Sequence, residues 1–264
     1  MFPPAPPFSG TVRLAKLADI PRIGVVAAAS FYHSSWFKYQ RPYHEQYPLD
    51  TLSSYRDSFR KAILNHDSVV LVAEDTLDPN ESRQVYDALA KVYPQFGDQI
   101  PDESLRNGKA VVSVAAFSLL PESSRRGQFQ PEDEGIELPD DPVNRRDMNQ
   151  TAAENVSKAL HQKEVGTFKH HLVIDMMATH PAYWRKGHAS ATTKWFLALS
   201  ELDHVGVGVA GAPMGKIFFS SLGFEESSTV EIPGYPEHLE SVFAWLGLRE
   251  VKDTSLAPAQ PVIL

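Results

Sequence analysis

The 264 residues carry 25 Lys and Arg against 33 Asp and Glu, a formal charge of −8, and 42% of them are apolar. The composition is that of a globular protein, and the acidity argues against a nucleic-acid binder, which presents a basic field. Cysteine is absent, which excludes disulfides, thiolate zinc sites and a cysteine nucleophile.

No run reaches the roughly 18 apolar residues of a membrane span. The start, MFPPAPPFSG, lacks the pattern of a secretory signal, so a cytoplasmic location is expected. Residues 1–10, with four prolines, read as an extended arm. Thr11 to Ala18 alternates as a strand. Asp19-Ile20-Pro21 then starts a helix over about 21–32, with Asp19 as N-cap and Pro21 at N1. An aromatic stretch from Trp36 to Tyr47 precedes a helix over about Leu49 to Asn65. Ser68 to Ala73 is a β-branched strand, Asp78-Pro79-Asn80 opens a helix to about Tyr93, and Ala110 to Leu119 is another strand.

Residues 121–150 hold eight acids against four arginines, the pattern of an exposed acidic insertion. A helix over about Asn149 to Lys163 follows, then a strand from His171 to Thr179 and a helix from His188 to Leu202. Strand Val205 to Val209, helix Met214 to Ser221, a strand ending at Ile232, the turn Pro233-Gly234-Tyr235-Pro236 and a strand from Ser241 to Gly247 complete the order. The tail, 251–264, reads as loosely packed. Together these elements predict a mixed α/β layer protein with one main domain over 11–250.

One stretch carries chemistry. HPAYWRKGHASAT, residues 180–192, sets Arg185, Lys186 and Gly187 between a buried strand and a helix. The first amides of a helix have no partner within it and face outward, which suits a pyrophosphate. The pattern alone leaves open a plain turn in which the glycine relieves strain and both bases are solvated.

The segment VIDMMATHPAYWRKGHA resembles the acetyl-CoA loop of the GNAT N-acetyltransferase superfamily, whose pattern is Gln/Arg-x-x-Gly-x-Gly/Ala, and most of all its fungal small-molecule members. Asp175, Ala178, Thr179, His180, Pro181, Tyr183, Gly187 and Ala189 carry the likeness; Ser220-Ser221-Leu222-Gly223-Phe224 and the PGYP turn extend it to residue 236. The resemblance implies a mixed, mostly antiparallel central sheet flanked by helices, and acetyl-CoA or another acyl-CoA as co-substrate. It implies backbone pairing of Met177, Ala178 and Thr179 with the pantetheine arm. The pyrophosphate would then sit at Trp184, Arg185, Lys186, Gly187, His188, Ala189 and Ser190.

Two positions depart from the family. Trp184 replaces the polar Gln or Arg, and Phe219 stands where a tyrosine usually protonates the departing thiolate.

Strict alternation puts Leu172, Ile174 and Met176 on one face of the strand and His171, Val173, Asp175 and Met177 on the other. Asp175 reads as a general base or amine anchor, or as a structural carboxylate; His180 as a proton relay, or as an orienter of the loop. Trp36, Tyr39 and Tyr43, on the segment that forms the acceptor lid in GNAT folds, are candidate walls of an acceptor pocket, with His171 and Phe219 as further substrate contacts. No spacing of His and acids makes a metal site. The leading expectation is an acetyl-CoA-dependent N-acetyltransferase acting on a small amine-bearing metabolite by direct attack on the thioester. The alternatives are a GNAT-fold enzyme of other chemistry, such as decarboxylation or isomerisation, and a non-catalytic CoA- or metabolite-binding module. The expected partner is a small-molecule acceptor, without nucleic acid or membrane; the sequence leaves the oligomeric state open.

Overall fold

The computed structural model describes residues 3–8, 10–93, 108–131 and 143–251. Its β-branched and apolar runs form one seven-stranded sheet: β1 (Val12–Leu14), β2 (Ser68–Thr76), β3 (Lys109–Ser118), β4 (Leu172–Thr179), β5 (Val207–Gly211), β6 (Glu225–Ile232) and β7 (Val242–Arg249). The spatial order is β1-β2-β3-β4-β5-β7-β6. Every neighbouring pair is antiparallel except β4 with β5.

Helices cover both faces, so β2 and β3 are apolar on both sides, as doubly covered strands must be. On one face lie α1 (Ile20–Phe31), α2 (Ser35–Gln40), α3 (Pro48–Leu64) and α5 (Gln150–Thr167); α4 (Asp87–Val92) packs against α3. On the other lie α6 (His188–Asp203) and α7 (Pro213–Ser221). The α1 and α3 pair covers the β2–β4 half, while α5 and α2 cover β5, β7 and β6. A seam therefore runs on this face above the junction of β4 and β5.

Several local expectations changed. Of the predicted Thr11–Ala18 strand only Val12–Leu14 is regular strand, with single backbone bonds from Glu74 to Thr11 and from Ala15 to Val70 at its ends. Asp19 stands at the N-cap position of α1 but makes no side-chain capping bond; its carboxylate turns back to the amide of Lys16 and to Arg13. The aromatic stretch contains α2, capped by Ser34 through the amide of Trp36. The predicted helix from Asp78 to Tyr93 divides into a 3-10 turn, Glu81–Gln84, and α4. The N-terminal arm is docked: Phe8 stacks on Trp195, whose indole donates to Pro6.

The acidic insertion is anchored at both of its described ends. Arg125 is buried in a fork with Asp203, and Asp147 is fully buried against Arg41 and Thr51. Residues 132–142 and the tail beyond 251 lie outside the described residues.

Candidate active site

β4 and β5 pair only over Leu172–Ile174 and Val207–Val209, after which the strands part. His180 donates its amide to Val112 on β3. In an antiparallel ladder successive residues face opposite ways, so the amides and carbonyls of Met177 and Thr179 turn toward the side that β5 has left. That edge is a free sheet margin, able to pair with an extended amide-bearing chain.

β4 also carries a bulge. Ala116 faces Met176 and Phe117 faces Ile174, which leaves Asp175 as the extra residue. A bulge breaks the two-residue period. Leu172 and Ile174 pack with α6, but beyond the bulge it is Met177 that joins that cluster, while Met176 and Ala178 pack with α1 and α3. The strict alternation expected from the sequence is therefore overturned at Asp175: Met176 and Met177 exchange faces.

Asp175 opens onto a cavity of about 570 Å³ lined by residues of β3, β4, β5 and the C-terminal end of α5, among them Ser118, Glu164, Phe168, Lys169 and Ala210. Gly208 makes room for the ring of Phe168, into which any Cβ there would run. The carboxyl reaches solvent through the cavity mouth, yet protein mass on its other sides desolvates it. That burial pushes its pKa up to about 6, helped by the like charge of Glu164 and opposed by the hydroxyl of Ser118, which donates at 2.7 Å. Burial raises Glu164 as well, against His161 on the same helix. A carboxyl held near neutrality, with one hydrogen-bond donor and an open face, is chemically a base.

The loop after β4 has the backbone geometry of an anion cradle. Arg185 and Gly187 both have left-handed backbones, φ 65° and 88°, a conformation that turns successive amides to one side. Ala191 bonds to the carbonyl of Gly187, so the amides of His188, Ala189 and Ser190 begin α6 without an intrahelical acceptor. Arg185 and Lys186 are exposed beside them. The side chain of His188 is turned inward, buried and bonded to Asp75 at 3.0 Å, so only its amide faces the loop. Lys186 approaches the same aspartate at 3.7 Å and lies over the ring of Tyr183. Trp184 donates its indole N–H to the carbonyl of Thr179 at 2.6 Å and meets His33 edge-on. It thereby occupies one carbonyl of the free edge; the amide of Thr179 makes a longer contact, 3.3 Å, with Ser30.

Several other candidates sit apart from the cavity. His180 is fully buried, its Nδ1 accepts from Ala182, and burial holds its pKa down to about 4. Its neighbours Arg22, Glu81, Tyr93 and Tyr183 form a closed network in which Glu81 accepts from Arg22, Tyr93 and Tyr183. That geometry packs His180 into the loop and away from the cavity. Tyr39 is fully buried, donates to Pro233 and receives Asn155, tying α2 to the PGYP turn. Trp36 donates to Phe243, and Tyr43 is exposed on the connector that follows α2. His171 precedes β4 and contacts Glu250. Phe219 is buried against Phe224 and Trp245. None of Trp36, Tyr39, Tyr43, His171 and Phe219 lines the cavity.

Glu164, Ser118, Phe168 and Lys169 were not among the residues expected from the sequence. A signal for one existed: Ala152, Val156, Leu160 and Phe168 step by fours or eights along α5 and its end, and Glu164 interrupts the apolar stripe.

No family model matches the chain. Among solved structures, the C-terminal condensation domain of Ebony in complex with beta-alanyl-dopamine superposes with a TM-score of 0.53 at 10% identity, over 91% of this chain and 98% of that one. A histone acetyltransferase and related acetyltransferase from Corynebacterium glutamicum superposes with a TM-score of 0.50 at 15% identity, over 97% of this chain and 100% of that one. The fold, with its mostly antiparallel seven-stranded sheet, is that of the GNAT N-acetyltransferases. Along the sequence, the chain is similar to an acetyltransferase of the fungus Stachybotrys chartarum, 29% identical over 232 residues, which are 88% of this chain and 87% of the relative. The fold expected from residues 170–236 is thus met by the solved structures, and the sequence comparison adds a relative named acetyltransferase.

Proposed function

We propose that the chain is an acetyl-CoA-dependent N-acetyltransferase acting on a small amine-bearing metabolite. The observation that carries this reading is the parting of β4 from β5 beside Asp175, which sets a free backbone edge next to a carboxyl poised near neutrality. The name of the fungal relative and the ligand of the condensation domain, an amine conjugate, point the same way.

Acetyl-CoA supplies an activated acyl group with a thiolate leaving group. The amides of His188, Ala189 and Ser190, with Arg185 beside them, hold the pyrophosphate. The edge at Met177 and Thr179 pairs with the pantetheine arm. The amide of Met177 faces the parted side and polarises the thioester carbonyl. Asp175 takes the proton that the amine sheds as it attacks. Phe219 has no proton to give, so the thiolate departs unassisted.

The occupied Thr179 carbonyl and the buried phenyl ring of Phe219 favour a second reading: the same fold with other chemistry in the cavity, or a CoA- or metabolite-binding module. Titration calorimetry with acetyl-CoA and CoA, followed by a thiol-release assay over a broad amine panel, separates the three. The transferase reading expects binding and release. Absence of binding at high micromolar concentration overturns it, and binding without release leaves the module.

A further inference from the structure

The cavity beside Asp175 holds a second carboxylate that the transfer step does not use. α5 buries Ala152 and Val156 against the sheet, with Leu160 packed beside them and Phe168 just beyond the helix. Residues four apart share a helix face, so Glu164 sits where this stripe calls for another apolar side chain. A half-buried acid on a packed face costs free energy unless a cation compensates it. Among the described residues Glu164 forms no ion pair and has only the more distant charge of His161 on its own helix, while Asp175 and Lys169, which line the same cavity, form no ion pair either. Two carboxylates against one lysine leave the cavity lining negative, and Val165, Phe168 and Val173 add apolar surface to it.

We propose that Glu164 recognises a second ammonium group on the acceptor, so that the substrate is a short linear diamine. One amino group meets Asp175, the other is held by Glu164, and the methylenes lie along this apolar surface. The inference rests on the transfer reading for the first amino group only; the second is a matter of binding.

The test pairs linear α,ω-diamines, from the propane to the hexane chain, with the monoamine of the same length, and follows CoA thiol release from acetyl-CoA. A charge-assisted contact is worth about tenfold or more in kcat/KM. The best diamine is therefore expected to exceed its monoamine by at least that factor, and Glu164→Gln to bring the ratio close to one. The ratio is taken within each protein, so a partly destabilised variant still reports. Equal kcat/KM for the pair in the unaltered chain, or a preference kept in Glu164→Gln, overturns the proposal. So does a preference for the ω-amino acid of the same length, which would put Lys169 in control.

Calorimetry of the diamine without acyl-CoA keeps the two readings apart. Glu164-dependent binding with no thiol release from any amine ends the transferase reading and supports this one. Thiol release from monoamines without diamine preference does the reverse.

Discussion

Glu81 and Asp175 are both carboxylates beside β4, and their surroundings drive them in opposite directions. Glu81, behind the end of the strand, is buried and saturated by Arg22, Tyr93 and Tyr183; despite burial these donors lower its pKa to about 2. Asp175, in mid-strand, has one hydroxyl, a neighbouring acid and an open cavity, and its pKa rises to about 6. Partner supply separates structural carboxylates from reactive ones more sharply than burial does. Glu81 secures the position of His180 and the loop. Asp175 is left with proton-accepting capacity.

The strongest way to break this contrast is to exchange the losses. Asp175→Asn is expected to lower kcat/KM for acetyl transfer by about 10²–10⁴-fold, with urea unfolding unchanged or slightly improved because a desolvated charge is gone. Glu81→Gln is expected to cost about 3–5 kcal/mol in the same unfolding experiment, since Arg22 is left buried without its counter-charge. Its transfer rate per folded molecule should change far less. Full transfer activity in Asp175→Asn, or unaltered stability in Glu81→Gln, would erase the distinction.

pH sharpens it next. In the proposed mechanism Asp175 acts as a base only when ionised, so kcat/KM, corrected for the acceptor's own ionisation, is expected to rise along a limb centred near pH 6. His180, held near 4, is neutral throughout that range; His180→Asn should lower stability and leave the limb in place. A limb that moves in His180→Asn hands the proton to the histidine.

Stability follows the opposite signs. The folded pKa of Glu81 lies below its ordinary 4.5, so its contribution is present above that value and is lost as pH falls toward 2. The folded pKa of Asp175 lies above its ordinary 3.8, so ionising it costs stability as pH rises through 6.

The smallest effect concerns the loop. Trp184→Phe removes the indole N–H and frees the carbonyl of Thr179 for the pantetheine arm. One neutral hydrogen bond is worth about 1 kcal/mol, so calorimetry should find acetyl-CoA bound roughly fivefold more tightly. Weaker binding would instead make the indole a cofactor contact.

Much of this was legible in the chain. The strand, the loop and α6 follow from local chemistry. An apolar run ends at His180-Pro181, and Gly187 supplies the left-handed residue that a helix beginning there requires. Sequence therefore determined the strand-loop-helix order, the left-handed turn at Gly187 and the fold class, because each depends on residues close to one another.

Tertiary structure alone decided the rest. The bulge at Asp175 was invisible because both residues after it are methionines, and swapping their faces leaves the pattern apolar. The approach of Glu164, the parting of β4 from β5, and the inward turn of His180, His188 and Tyr39 depend on contacts between distant segments. Local periodicity carries no record of those contacts. A side chain's role as packing or as chemistry is settled by which partners the folded chain brings to it.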